Sequence, residues 1–115
     1  MIESSFMSRP WGTWSVLETY PNVKVKELMV LPGQALSMQR HQFRQEFWFV
    51  AEGTATVNRI DRSTDLVSQD VEQFNYTWIA PNEWHQLENR GTVPLKVVEI
   101  QWGEKCEEND IERAP

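Results

Sequence analysis

Turn-forming pairs cut this chain into short apolar segments, and that punctuation limits its fold more than any other feature. Pro21-Asn22, Pro32-Gly33, Glu52-Gly53, Pro81-Asn82 and Asn89-Arg90-Gly91 separate segments at 13–18, 23–31, 35–41, 46–50, 54–60, 66–71, 76–79, 84–88 and 95–101. Each segment is strand-like, and none carries the 3.6-residue stripe of a helix. Short strands at this spacing predict an all-β sandwich or barrel of antiparallel strands.

The length of 115 residues allows one domain, with 1–8 as an N-terminal arm and 104–115 as an acidic tail. The tail is expected either to be disordered or to dock as a short helix through Ile111. Residues 61–65 read as a polar, mobile hairpin tip. A hydrophobic content of 40%, with six Trp and five Phe, suffices to fill one core. Large aromatics such as Trp78 and Trp84 are expected inside it.

Cys106 is the only cysteine, which excludes an intramolecular disulfide and multi-thiol zinc sites and points to a reducing, cytoplasmic setting. No stretch has the apolar length of a signal peptide core or a membrane span. The net charge of −6 argues against nucleic acid as a partner but leaves a small anionic ligand open, because salt screens distant charge.

The chain's two histidines, His41 and His85, each lie in a strand-like segment beside a turn. Strand alternation puts Gln39 and His41 on one face. After a short turn Glu46 returns on what is expected to be the neighbouring strand, with Trp48 as its face-mate. His85 completes the set if its strand crosses from the far side of the barrel. Amide, carboxylate and two imidazoles suit one divalent ion, zinc first, with manganese, nickel or iron as alternatives. The competing reading is a pair of hydrogen-bonded core histidines in a vacant or structural site.

Gly33-x5-Gln39-x-His41-x4-Glu46-x6-Gly53 resembles the first cupin motif, with Gln in place of its first His. Ile79-x5-His85-x3-Asn89 resembles the second, with the proline moved to Pro81 and Asn82 standing where Gly is usual. The fold implied is a cupin, the double-stranded β-helix or jelly-roll barrel. More closely, residues 9–113 resemble the phosphomannose isomerase domain of bifunctional guanylyltransferase/isomerase enzymes. The landmarks include Arg9-Pro10-Trp11-Gly12, Lys24-Val25-Lys26, Arg44-x-Glu46-x-Trp48, Glu99-x-Gln101-x-Gly103-Glu104 and Asp110-Ile111.

That resemblance implies a Gln39, His41, Glu46 and His85 metal set and a sugar-phosphate substrate. Among the basic residues, it singles out Lys26 and Arg44 as ligand contacts. The chain departs from the family at Gln42 and Phe43, where histidines are usual, and at Glu27 and Leu31, where basic residues are usual.

Trp48 should border the metal and offer a face to the sugar. Glu99 enters the cavity as a general base if Leu95 and Val97 face inward, and is an ordinary surface carboxylate if Val98 does. The implied activity is aldose–ketose isomerisation of mannose 6-phosphate or a related sugar. A non-catalytic sugar-binding cupin and an iron-dependent dioxygenase are the alternatives. Phe47 and Phe49, on the opposite face from Glu46, suggest a homodimer. Cys106, in an acidic neighbourhood, is not expected to act as a nucleophile.

Overall fold

The computed structural model describes residues 6–61 and 65–115, in which eleven strands form two antiparallel sheets without a helix. The strands are β1 (Phe6–Arg9), β2 (Gly12–Tyr20), β3 (Val23–Val30), β4 (Gln39–Arg40), β5 (Arg44–Glu52), β6 (Ala55–Ile60), β7 (Leu66–Val71), β8 (Tyr76–Ile79), β9 (His85–Glu88), β10 (Leu95–Gly103) and β11 (Glu112–Arg113). One sheet runs β1-β2-β3-β10-β5-β8 and the other β11-β4-β9-β6-β7. The tip of the β6–β7 hairpin at residues 62–64 lies outside the described residues, as do residues 1–5 of the expected N-terminal arm.

Alternation along β3, β5, β9 and β10 sends one face of each strand into the space between the sheets. Leu28, Val30, Val50, Val57, Ile79, Leu87, Leu95 and Val97 close one end of that space as a dry aliphatic core. Each such side chain contributes about 1.5–3 kcal/mol on burial. Polar residues continue the same inward faces toward the other end: Lys26 on β3, Glu46 on β5, His85 on β9, and Glu99 and Gln101 on β10. The apolar half therefore fixes the register that holds the polar half inward, since a one-residue slip would turn every side chain out.

Asn22, Gly33, Gly53 and Asn82 take the positive φ angles that the predicted turns demand, with 60° at Asn22 and 62° at Asn82. At Gly12 the approach to β3 is close enough that a Cβ would fall 1.9 Å from the Met29 carbonyl oxygen.

Three expectations change. The 35–41 segment narrows to Gln39–Arg40, with Ala35 making only an isolated bridge to Glu88. Neither terminus is free where it is described: β1 pairs with β2, and the acidic tail is neither helical nor detached, because β11 pairs with β4. The aromatics do not fill the core. Trp48 alone among them is buried in it, Phe74 is exposed, and Trp78 is 51% exposed on the edge strand β8. Trp84 is partly buried, with the Arg40 guanidinium over its ring. The other buried core positions go to aliphatic side chains, while Trp11 and Trp14 pack against the core from its edge.

Candidate metal centre

His85 opens β9 and pairs directly with Gln39 on β4, while His41 follows β4 into the turn. Glu46 reaches them from β5, in the opposite sheet. The expected placement is thus exchanged: β9, not β5, is the neighbour of β4, and it is Glu46 that crosses the barrel. His41, Glu46 and His85 still converge, and Gln39, paired with His85 across β4 and β9, lines the same cavity. The His41 and His85 rings lie 5.1 Å apart, and one donor atom from each of His41, Glu46 and His85 falls within 4.8 Å of the others.

Both imidazoles have a fixed tautomer. His41 Nδ1 lies 2.7 Å from the Asp110 carbonyl oxygen and His85 Nδ1 2.7 Å from that of Glu83. A carbonyl only accepts, so Nδ1 carries the hydrogen, and in the neutral ring Nε2 presents a lone pair. His41 Nε2 is 3.5 Å from one Glu46 oxygen and His85 Nε2 3.4 Å from the other. Ligands about 2.1 Å from a common ion stand roughly 3.0–3.4 Å apart in octahedral or tetrahedral arrangements, so each imidazole stands near ligand spacing from Glu46, and the donor types suit a divalent cation.

Burial, the largest influence on His41, holds its pKa below the usual histidine value, which keeps the ring neutral and able to ligate. Gln39 lines the same cavity, with its amide nitrogen 3.3 Å from Ser37 Oγ, which leaves the amide oxygen available as a donor atom.

Arg44 takes part in this cluster. Its Nε donates to Glu46 Oε2 at 3.0 Å, Nη1 to the Glu107 carbonyl at 3.0 Å, and Nη2 approaches His41 Nε2 at 3.3 Å. The guanidinium thus sits on the lone pair a metal would use. Burial opposes the Glu46 charge, yet His85, His41 and Arg44 together hold its carboxyl well below the ordinary range.

The open question at β10 is resolved by Leu95 and Val97, which face inward and carry Glu99 and Gln101 with them. Trp48 Nε1 donates to Glu99 Oε2 at 2.7 Å and Gln101 Nε2 to Glu99 Oε1 at 2.9 Å. Burial first, and the Glu46 charge second, push the Glu99 pKa up to about 8. Trp48 lies beside the cluster, its indole edge-on to His85 at 5.5 Å.

Lys26 is buried under Trp14, 4.4 Å from the ring centre, and its ammonium meets Glu108 Oε2 at 2.5 Å. Lys24 lies 3.8 Å from the same oxygen. Trp14, Lys26 and Glu108 join the His–Glu–His set, Glu99 and Gln101 in lining a cavity of about 570 Å³, within the roughly 300–1,000 Å³ of small-molecule sites. Glu27, Leu31, Gln42 and Phe43, where the chain departs from the family pattern, are absent from its wall.

Residues 104–115 provide the contacts that sequence reasoning missed. The Asp110 carboxylate accepts from the backbone N–H of Gln42 and Phe43 at 2.9 Å each, while its carbonyl orients His41. Glu108 meets Lys26, and Glu112 pairs with Arg40. The only signal in the sequence was the Asp110-Ile111 landmark, which carries no hint of what it touches. Cys106 has its thiol pKa raised mainly by burial, with nearby acidic charge a lesser cause, and plays no part in the cluster.

A sequence profile for the mannose-6-phosphate isomerase C-terminal family matches residues 3–115. Mannose-1-phosphate guanylyltransferase RfbM of Salmonella typhimurium is 41% identical over 105 residues, 91% of this chain and 21% of that protein. The alginate biosynthesis protein AlgA of Pseudomonas aeruginosa is 38% identical and the xanthan biosynthesis protein XanB of Xanthomonas campestris 37%, with the same coverage. The chain therefore spans about a fifth of the length of these relatives.

Among solved structures, the capsular polysaccharide assembling protein CapF of Staphylococcus aureus superposes with a TM-score of 0.84 at 16% identity, over 98% of this chain and 32% of that one. Bacillus subtilis oxalate decarboxylase also gives 0.84, at 13% identity, over 96% of this chain and 30% of that one. The strand order, the motif residues and these matches agree that the chain is a cupin-fold member of the mannose-6-phosphate isomerase C-terminal family.

Proposed function

We propose that this domain is a metal-dependent aldose–ketose isomerase that interconverts mannose 6-phosphate and fructose 6-phosphate or a closely related pair. One observation carries the reading: a buried carboxyl, Glu99, with a pKa of about 8, shares a cavity with a convergent His–Glu–His set. Isomerisation moves a proton between two adjacent carbons through an enediol. That requires one group to take the proton, hold it away from water and return it. Glu99 has those properties, and Trp48 and Gln101 fix both of its oxygens.

A divalent ion bound by Gln39, His41, Glu46 and His85, zinc before manganese, nickel or iron, supplies Lewis acidity to the sugar's carbonyl and hydroxyl oxygens. Lys26 and Lys24 form an anion seat at which Glu108 now rests, and a substrate phosphate replaces that carboxylate. Arg44 lies close enough to contact the sugar end. Trp48 closes the wall beside it.

The names of the relatives support a place in nucleotide-sugar and polysaccharide biosynthesis. The guanylyl transfer in one of those names is not assigned here, since the chain holds no glycine-rich phosphate loop of the Walker or dinucleotide type. The test is interconversion of hexose 6-phosphates by folded, metal-loaded protein. Turnover should fall about 10²-fold or more in Glu99→Gln. Loaded protein that isomerises none of them refutes the reading. Saturable binding without turnover favours a sugar-binding domain, and oxygen uptake by the iron form favours a dioxygenase.

A further inference from the structure

Among the described residues, one buried side-chain polar atom has no hydrogen-bond partner, and it is Gln101 Oε1. Gln101 is 1% exposed, lies on the inward face of β10 opposite Glu46, and lines the cavity. Its amide nitrogen donates to Glu99 Oε1 at 2.9 Å and to Glu46 Oε2 at 3.3 Å. Both amide hydrogens are therefore directed at carboxylate oxygens. Turning the amide over would aim its oxygen at Glu46, whose carboxyl stays ionised and only accepts, so Glu46 fixes which way Oε1 points. Proteins rarely leave such an atom unpaired, and because Gln101 lines the cavity, a small shift of its side chain lets Oε1 accept from a donor bound there.

Resting on the sugar reading of this site, we propose that Gln101 is a substrate-positioning residue whose Oε1 accepts a hydrogen bond from one hydroxyl of a polyhydroxylated ligand. Phosphate dianions and carbonyl oxygens only accept, so neither can satisfy this atom. A sugar hydroxyl can, and Gln101 then ties that hydroxyl through one rigid amide to both Glu46 and Glu99. The arrangement selects against ligands lacking that hydroxyl, because a buried acceptor left unpaired in the complex is unfavourable.

The test is calorimetric titration of the metal-loaded full chain with mannitol 6-phosphate, glucitol 6-phosphate and their monodeoxy analogues. These ligands have no carbonyl and cannot turn over. Removal of one hydroxyl should weaken binding to the wild type about 10-fold to 100-fold. Gln101→Met, which keeps length without polar atoms, should bind the parent more weakly and no longer distinguish it from that deoxy analogue. Gln101→Leu serves if the first variant does not fold.

Equal binding of all deoxy forms by the wild type, or the same losses in the variants, overturns the proposal, and attributes the unpaired atom to water alone. If the hydroxyl coupling is found while hexose phosphates do not turn over, the isomerase reading falls and this proposal stands. Turnover without the coupling has the opposite meaning. Wild type that binds neither hexitol phosphate overturns both.

Discussion

Removing Arg44 should destabilise the metal-free protein far more than the metal-loaded one. Arg44 and Glu46 are both buried, at 5% and 2% exposure, and are joined at 3.0 Å. Arg44→Leu leaves a desolvated carboxylate with two imidazoles beside it, and breaking such a pair from one side costs about 3–5 kcal/mol. The lower end applies, because loss of the Arg44 charge, one of the causes that hold the His41 pKa down, makes it easier for His41 to take up a proton and restore part of the balance. A loss near 3 kcal/mol lowers the melting temperature of a domain this size by roughly 10 °C.

With a divalent ion on Glu46, the missing positive charge is replaced, so the same substitution should cost only about 1 kcal/mol, mainly the lost bond to the Glu107 carbonyl. Metal affinity should also rise, since Nη2 no longer lies on His41 Nε2. Urea unfolding with and without excess Zn²⁺, alongside calorimetric metal titration, measures all three quantities. Equal destabilisation in both forms, or weaker metal binding by the variant, would refute the charge argument.

Glu99 gives a pH signature. Its folded pKa of about 8 lies above the ordinary 4.5, so it stabilises the metal-free fold fully below about pH 4.5 and loses that contribution as pH rises to 8. Between those limits the stability of wild type relative to Glu99→Gln should fall by up to about 1.4 kcal/mol per pH unit; a flat difference would disprove the shift. Asp110→Ala should free the 42–43 backbone and loosen the residue that orients His41, weakening metal binding about 10-fold, whereas unchanged affinity would make that contact incidental. We propose pairing through the outer aromatic face, where the Phe47 and Tyr76 rings lie 5.1 Å apart beside exposed Trp78; light scattering at high concentration should then give twice the 13.5 kDa chain mass, and a single chain mass would count against it.

Much of the fold was legible because local chemistry dictated it. The segments 66–71 and 76–79 coincide with β7 and β8, and Asn22 and Asn82 turn the chain where their tolerance of positive φ allows. His41, Glu46 and His85 were legible as a set because their residue types are costly to bury without a partner. Sheet membership was not, since alternation reports which face a residue occupies and not which strand lies beside it. This is why Glu46 and His85 were expected on each other's side of the barrel.

The direction of Glu99 depended on a single-residue register that only packing against β3 and β5 decides. β1 and β11 escaped notice for a related reason. Each is a short edge strand defined by its partner, and β11 lies in an acidic stretch whose carboxylates find their bases only after the chain folds back.

The most direct measurement is the number of zinc ions held per folded chain after equilibrium dialysis, compared between wild type and His85→Asn. The geometry calls for one ion per wild-type chain and at least a 100-fold weaker hold in the variant, with its β-sheet spectrum intact. A wild type that retains no ion, or a variant that retains it equally well, would contradict the assignment.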